Sequence, residues 1–137
     1  MATIIRPELS SKSKYYVEKH RYYELKHFCL QYPIWKREYN NLDGYTERSI
    51  ESFGSNNTIT DHTASHAEQR LLCFDKMKMV EQAALEADGE LASYILKGVT
   101  EDKSYNTLHT KYNIPCGKNT YYERYRRFFW LLDKTRY

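Results

Sequence analysis

Five glycines are scattered through the 137 residues and never gather into a phosphate-cradling loop, and no G-x-S-x-G elbow is present. Nucleotide-binding loops of that kind and a strand-turn-helix nucleophile are therefore excluded, and the chain is read as not an enzyme. Its three cysteines, Cys29, Cys73 and Cys116, stand far apart with no C-x-x-C pair. An odd count cannot close a disulfide set, so reduced thiols and a cytoplasmic setting are expected. No run of about eighteen apolar residues occurs and Met1 to Leu9 holds no apolar stretch, which leaves neither a secretion signal nor a membrane partner to expect. A metal site is equally poorly provided for. His62 and His66 have the i, i+4 spacing of two ligands on one helix face, but Thr63 stands where a catalytic zinc motif places Glu. His20, His27 and His109 are dispersed, and the acidic pairs Asp88/Glu90 and Glu101/Asp102 fit caps and turns, so neither metal nor cofactor is expected.

What the chain does have is a core and an uneven charge. A hydrophobic content of 41% suffices for one ordinary domain, or for a small core with an arm. The net charge of +3 is modest, but residues 44–97 carry 5 Lys and Arg against 9 Asp and Glu, whereas residues 98–137 carry 8 against 4. Residues 1–43 carry 8 against 5. Distribution rather than total governs attraction to a polyanion, and the last third is where the positive charge accumulates.

Hydrophobic periodicity predicts an all-α fold. Residues 1–18 form an arm that becomes ordered near Tyr15, Tyr16 and Val17. A first helix covers Lys19 to Tyr32, with Arg21, Leu25, Phe28 and Tyr32 on one face. Pro33 lacks an N–H and restricts Tyr32, so the chain bends there and starts a second helix to Leu42 with Trp35, Tyr39 and Leu42 inward. Together these make an N-terminal helical hairpin, or a kinked helix, within 1–43. Residues 44–63 collect Gly, Ser, Asn and Thr without a helical period and are expected to be a flexible linker. The third part, 64–137, opens with a long helix from Ala64 to Ala87, roughly 36 Å at 1.5 Å per residue. Its stripe of Leu71, Phe74, Met77, Val80, Ala84 and Ala87 serves either a homodimer contact or an intramolecular core against the Leu25/Phe28/Trp35 face.

Three shorter helices follow, over Asp88 to Thr100, Ser104 to Tyr112 and Lys118 to Lys134. Asp88 and Ser104 are N-cap residues, Gly98 is the expected stop of the first, and Pro115 breaks the helix at Ile114. Thr120 and Glu123 have capping-box spacing. This order and spacing are those of a helix-turn-helix, which places one helix in the major groove while the preceding one braces it. On a helical wheel Tyr121, Tyr125, Phe128 and Leu132 make a core stripe, with Asn119, Glu123, Arg126 and Trp130 opposite. The candidate DNA-binding residues are Lys118, Asn119, Thr120, Tyr122, Glu123, Arg124, Arg126 and Arg127. Arg, Asn and Glu have the donors and acceptors to read guanine, adenine and cytosine edges, and Arg124 and Arg127 at the flanks suit phosphates.

Two segments, Tyr22 to Pro33 (YYELKHFCLQYP) and Tyr112 to Phe129 (YNIPCGKNTYYERYRRFF), resemble a group of small proteins from prophages and mobile elements of Gram-positive gut bacteria. That group is similar, more loosely, to phage late-gene regulators of the ArpU and RinA type, whose C-terminal part resembles sigma factor region 4. The resemblance extends over the chain except 44–63 and implies a sequence-reading helix over Lys118 to Arg127.

Two function classes follow. The first is a phage or mobile-element transcription regulator whose partner is double-stranded DNA. The second is an interaction protein that keeps the helix-turn-helix shape but binds a host protein, such as RNA polymerase or a defence nuclease, through its acidic middle and Trp130. The aromatic and basic residues near the N-terminus, Tyr15, Tyr16, Tyr22, Tyr23 and Tyr39, also suit stacking on single-stranded nucleic acid, though helix packing accounts for them more simply.

Overall fold

The computed structural model describes the backbone of residues 13–52 and 57–137 and the side chains of 13–42 and 65–137. Six helices are present among them and no strand: α1 Lys19–Leu30, α2 Tyr32–Ser52, α3 Asn57–Ala87, α4 Ala92–Glu101, α5 Tyr105–Tyr112 and α6 Lys118–Arg136. The protein is all-α. No described helix is long and apolar enough to cross a membrane.

Compactness divides the chain into two units, the described part of Met1–Gln31 together with Met79–Tyr137, and Tyr32–Lys78. This grouping differs from the expected one. Helix α1 packs on α4 and α6. The reason lies in its face. Tyr22, Leu25, Phe28 and Cys29 are buried, and the Tyr22 ring meets Phe129 edge-on at 5.1 Å. Arg21, placed inward by the spacing argument, is exposed and pairs with Asp133 at 2.7 Å, while Tyr32 belongs to α2. One residue of rotation exchanges a cation for an aromatic ring, and burial of the ring decides it.

The smaller unit is a hairpin of α2 against α3 up to Lys78. Lys76 lies over Trp35 at 5.8 Å, the Cys73 thiol donates to Glu38 at 3.4 Å, and Arg70 stacks on Tyr39 at 4.0 Å. Partners that rise along α2 fall along α3, so the two run antiparallel. The expected linker over 44–63 is corrected here. Helix α2 continues through Ser52 and α3 begins at Asn57, while 53–56 and the side chain of His62 lie outside the described residues. Ser, Asn and Thr each weaken a helix by less than about 1 kcal/mol, and within α2 only Gly44 costs about that much. With no proline between Pro33 and Pro115, nothing there forbids a helix already begun.

The stripe expected along α3 divides in two. Met77, Val80, Ala84 and Ala87 are buried, whereas Leu71 and Phe74, at 59% and 39%, stand exposed with Leu72 at 57%.

In the larger unit, α4 starts four residues later than expected. Asp88 does cap the turn, its Oδ1 accepting from the N–H groups of Glu90 and Leu91 at 3.0 and 3.1 Å, but the regular helix begins at Ala92. Nor does Gly98 end it. Asp102 adopts the left-handed conformation (φ 55°), and the Lys103 N–H closes on the Gly98 carbonyl at 3.1 Å, a Schellman end formed without glycine. Helix α5 matches its reading closely: Ser104 Oγ accepts from the Thr107 N–H at 3.3 Å, Leu108 is fully buried, and Asn113 ends the helix at φ 53°.

Candidate nucleic-acid interface

Helix α6 is capped by Gly117 in an extended conformation, three residues before the expected capping box, so Thr120 lies inside the helix rather than at its cap. The turn before it is fixed by α5. Tyr105 donates its hydroxyl to the Cys116 carbonyl at 2.6 Å and its N–H to the Tyr122 hydroxyl at 3.4 Å. Ile114 is buried beneath this turn.

The inner face of α6 is aromatic. Tyr121, Phe128, Phe129 and Leu132 are essentially inaccessible, and Phe129 joins the expected stripe while Tyr125 is only half-buried. Tyr125 is anchored from the opposite side by a 2.7 Å hydrogen bond between its hydroxyl and that of Tyr22. Burial pushes both the Tyr121 and Tyr125 hydroxyls above the ordinary tyrosine range, so both stay protonated. Tyr121 also explains Gly98: a Cβ there stands only 2.2 Å from the Tyr121 hydroxyl oxygen. The glycine sets how closely α4 and α6 approach, and thereby how α6 is presented.

A second brace holds the start of α4 to α6. Arg124 Nε donates to Asp88 Oδ2 at 3.0 Å while the other Asp88 oxygen caps the turn. Burial works against the Asp88 charge, but the hydrogen bonds from Arg124 and the Leu91 and Glu90 N–H groups outweigh it and hold the carboxyl below the usual aspartate range. Arg124 contacts Glu123 as well.

These braces sort the expected DNA-binding residues. Lys118, Asn119 and Thr120 are exposed on the first turn of α6. Arg126 and Arg127 are half-buried, and among the described residues neither they nor Lys118 make an ion pair. The Arg127 Nε is buried without a hydrogen-bond partner. Tyr122 and Arg124 are instead engaged in holding the fold, and Glu123 is exposed beside Arg124. The structure therefore leaves Lys118, Asn119 and Thr120 exposed on the first turn, keeps Arg126 and Arg127 half-buried beyond them, and turns Arg124 toward Asp88.

Sequence reasoning placed Trp130 outward but missed what covers it. Trp130, on the outward face four residues after Arg126, is half-buried because the buried Tyr15 meets it edge-on at 5.4 Å. Lys134 covers the same indole, with its ammonium 3.4 Å from the ring centroid. The wheel shows Trp130 outward, but no local signal identifies a ring 115 residues away in sequence as its cover. Trp130 is thus partly covered within the chain. Residues 1–12 of the expected arm lie outside the described residues, and its ordered end at Tyr15 and Val17 is buried.

No family model, no curated protein and no solved structure matches the chain.

Proposed function

We propose that the chain reads double-stranded DNA with the N-terminal half of α6 and regulates transcription of phage or mobile-element genes. One observation carries the reading: Asn119 and Arg126 lie opposite the buried face of a helix whose inner side is fixed by α1, α4 and the α5 turn, with Lys118 exposed at its first residue. A recognition helix needs rigid backing and free donors near its N-terminal half, and both are present here. The positive balance from Lys103 onward, where only Glu123 and Asp133 oppose eight cations, supplies the attraction to phosphate. Selection of bound duplexes from a randomised library tests it. A recovered consensus supports the reading, and an unenriched pool overturns it.

The exposed Leu71, Leu72 and Phe74 favour a protein contact on the α2–α3 hairpin. A second copy of the chain fits the first reading, since helix-turn-helix dimers read half-sites about 34 Å apart. A host protein such as RNA polymerase or a defence nuclease is the contrasting occupant. A DNA-independent complex with such a protein distinguishes it.

A further inference from the structure

We infer that Lys14 and Lys134, brought to the outward side of α6 by the Tyr15–Trp130 contact, form a second contact site for the DNA backbone beside the base-reading residues; this rests on the duplex-reading function above. The segment before α1 is fixed rather than trailing. Ser13 starts a turn in which Tyr16 N–H donates to the Ser13 carbonyl at 3.3 Å and Tyr15 N–H to Ser13 Oγ at 3.3 Å. Tyr15 and Val17 are buried and leave Lys14 exposed between Ser13 and Tyr15. Its ammonium lies 5.4 Å from the Tyr15 ring centroid, and Tyr15 lies against Trp130, whose ring carries the exposed Lys134. Two cations from the two ends of the chain are thus held around one aromatic pair. No carboxylate is ion-paired with either among the described residues, and the nearby Asp133 is bound to Arg21.

Helix length says which part of the duplex this pair meets. From Asn119 to Lys134 the rise is roughly 22 Å at 1.5 Å per residue, while the major groove is about 12 Å wide. A straight helix that contacts bases with its first turns diverges from the groove toward its far end, because the groove winds around the duplex axis. The level of Trp130 and Lys134 therefore meets the sugar-phosphate strand at the groove edge, where ammonium groups position the protein without reading sequence. Tyr15 and Trp130 act as positioning residues: they fix where Lys14 stands.

Salt-dependent binding of the full-length protein to its selected duplex tests this. Each phosphate contact contributes about 0.9 to the slope of log affinity against log salt. Changing Lys14→Gln and Lys134→Gln together should reduce that slope by about 1 to 2 and weaken binding several-fold to roughly a hundredfold near 0.1 M salt, with the same base preference as the parent. Tyr15→Ala, with both lysines intact, should lose the part of the slope that Lys14 supplies. Both lysines are exposed, and an unchanged melting temperature of the double variant shows that the fold is retained. An unchanged slope overturns the second contact site and leaves base reading standing. A relaxed base preference overturns it too, by making the lysines part of the reading surface. A parent protein that binds no duplex at all overturns the function on which the site rests.

Discussion

Gly98→Ala isolates the contact on which the presentation of α6 depends. The new methyl carbon falls 2.2 Å from the Tyr121 hydroxyl oxygen, far inside van der Waals contact, while the ring carbon bearing that hydroxyl is 3.5 Å away, an ordinary distance. The ring has little room to retreat. Tyr121 is 1% exposed, with Tyr122 and Tyr125 at centroid distances of 5.0 and 6.2 Å and Tyr105 at 6.0 Å. Overpacking of this kind costs about 1–3 kcal/mol. Against it stands the better helix propensity of alanine, up to about 1 kcal/mol inside a helix. The alanine variant should therefore lose on the order of 1–2 kcal/mol net. Tyr121→Phe removes the obstructing oxygen, which is buried without a hydrogen-bond partner, and should be neutral or slightly stabilising because no bond is lost. Combined, the two changes should restore stability to the parent's level or above it, a non-additive cycle that a contact pair requires. Urea titration of the four proteins measures it. Additive losses, or a Gly98→Ala protein as stable as the parent, refute the close approach of α4 and α6.

Phe128 is fully buried, so Phe128→Ala should cost about 3–5 kcal/mol and lower the melting temperature by on the order of ten degrees; an unchanged melt places that face of α6 outward. Because the Asp88 carboxyl titrates below its unfolded value near 4, its contribution to stability is complete above that value and is lost as pH falls through the folded one. The difference in melting temperature between the parent and Asp88→Asn should therefore shrink from pH 5 to pH 2, and a difference that grows over that interval contradicts the Asp88–Arg124 brace. Light scattering at micromolar concentration should report two 16.5 kDa chains, and Leu71→Lys should reduce the mass to one; a parent of single-chain mass removes the paired half-site.

The parts of the fold legible in the sequence are those fixed by local chemistry. Ser104 and Pro115 bound α5 and its turn because capping and a missing N–H act within a few residues. Phe128 and Leu132 were legible because a buried helix face repeats every 3.6 residues. Helix continuity through Gly44 and Ser49 was not, since weak propensities give way once a helix is under way. The choice of Tyr22 over Arg21 as the buried residue of α1 depends on Phe129 and Tyr125, more than a hundred residues distant. At the candidate site, Asn119 and Arg126 could be read from the wheel, but the diversion of Arg124 to Asp88 and the cover of Trp130 by Tyr15 are tertiary facts without a local pattern.

The most direct test of base reading by α6 compares three alanine variants on the selected duplex and on unrelated duplexes. Arg126→Ala and Asn119→Ala should each lose about 1–3 kcal/mol on the selected sequence and relax its preference, while Arg127→Ala, lacking a base partner, should weaken every sequence alike. Three variants that bind every duplex as the parent does contradict the account.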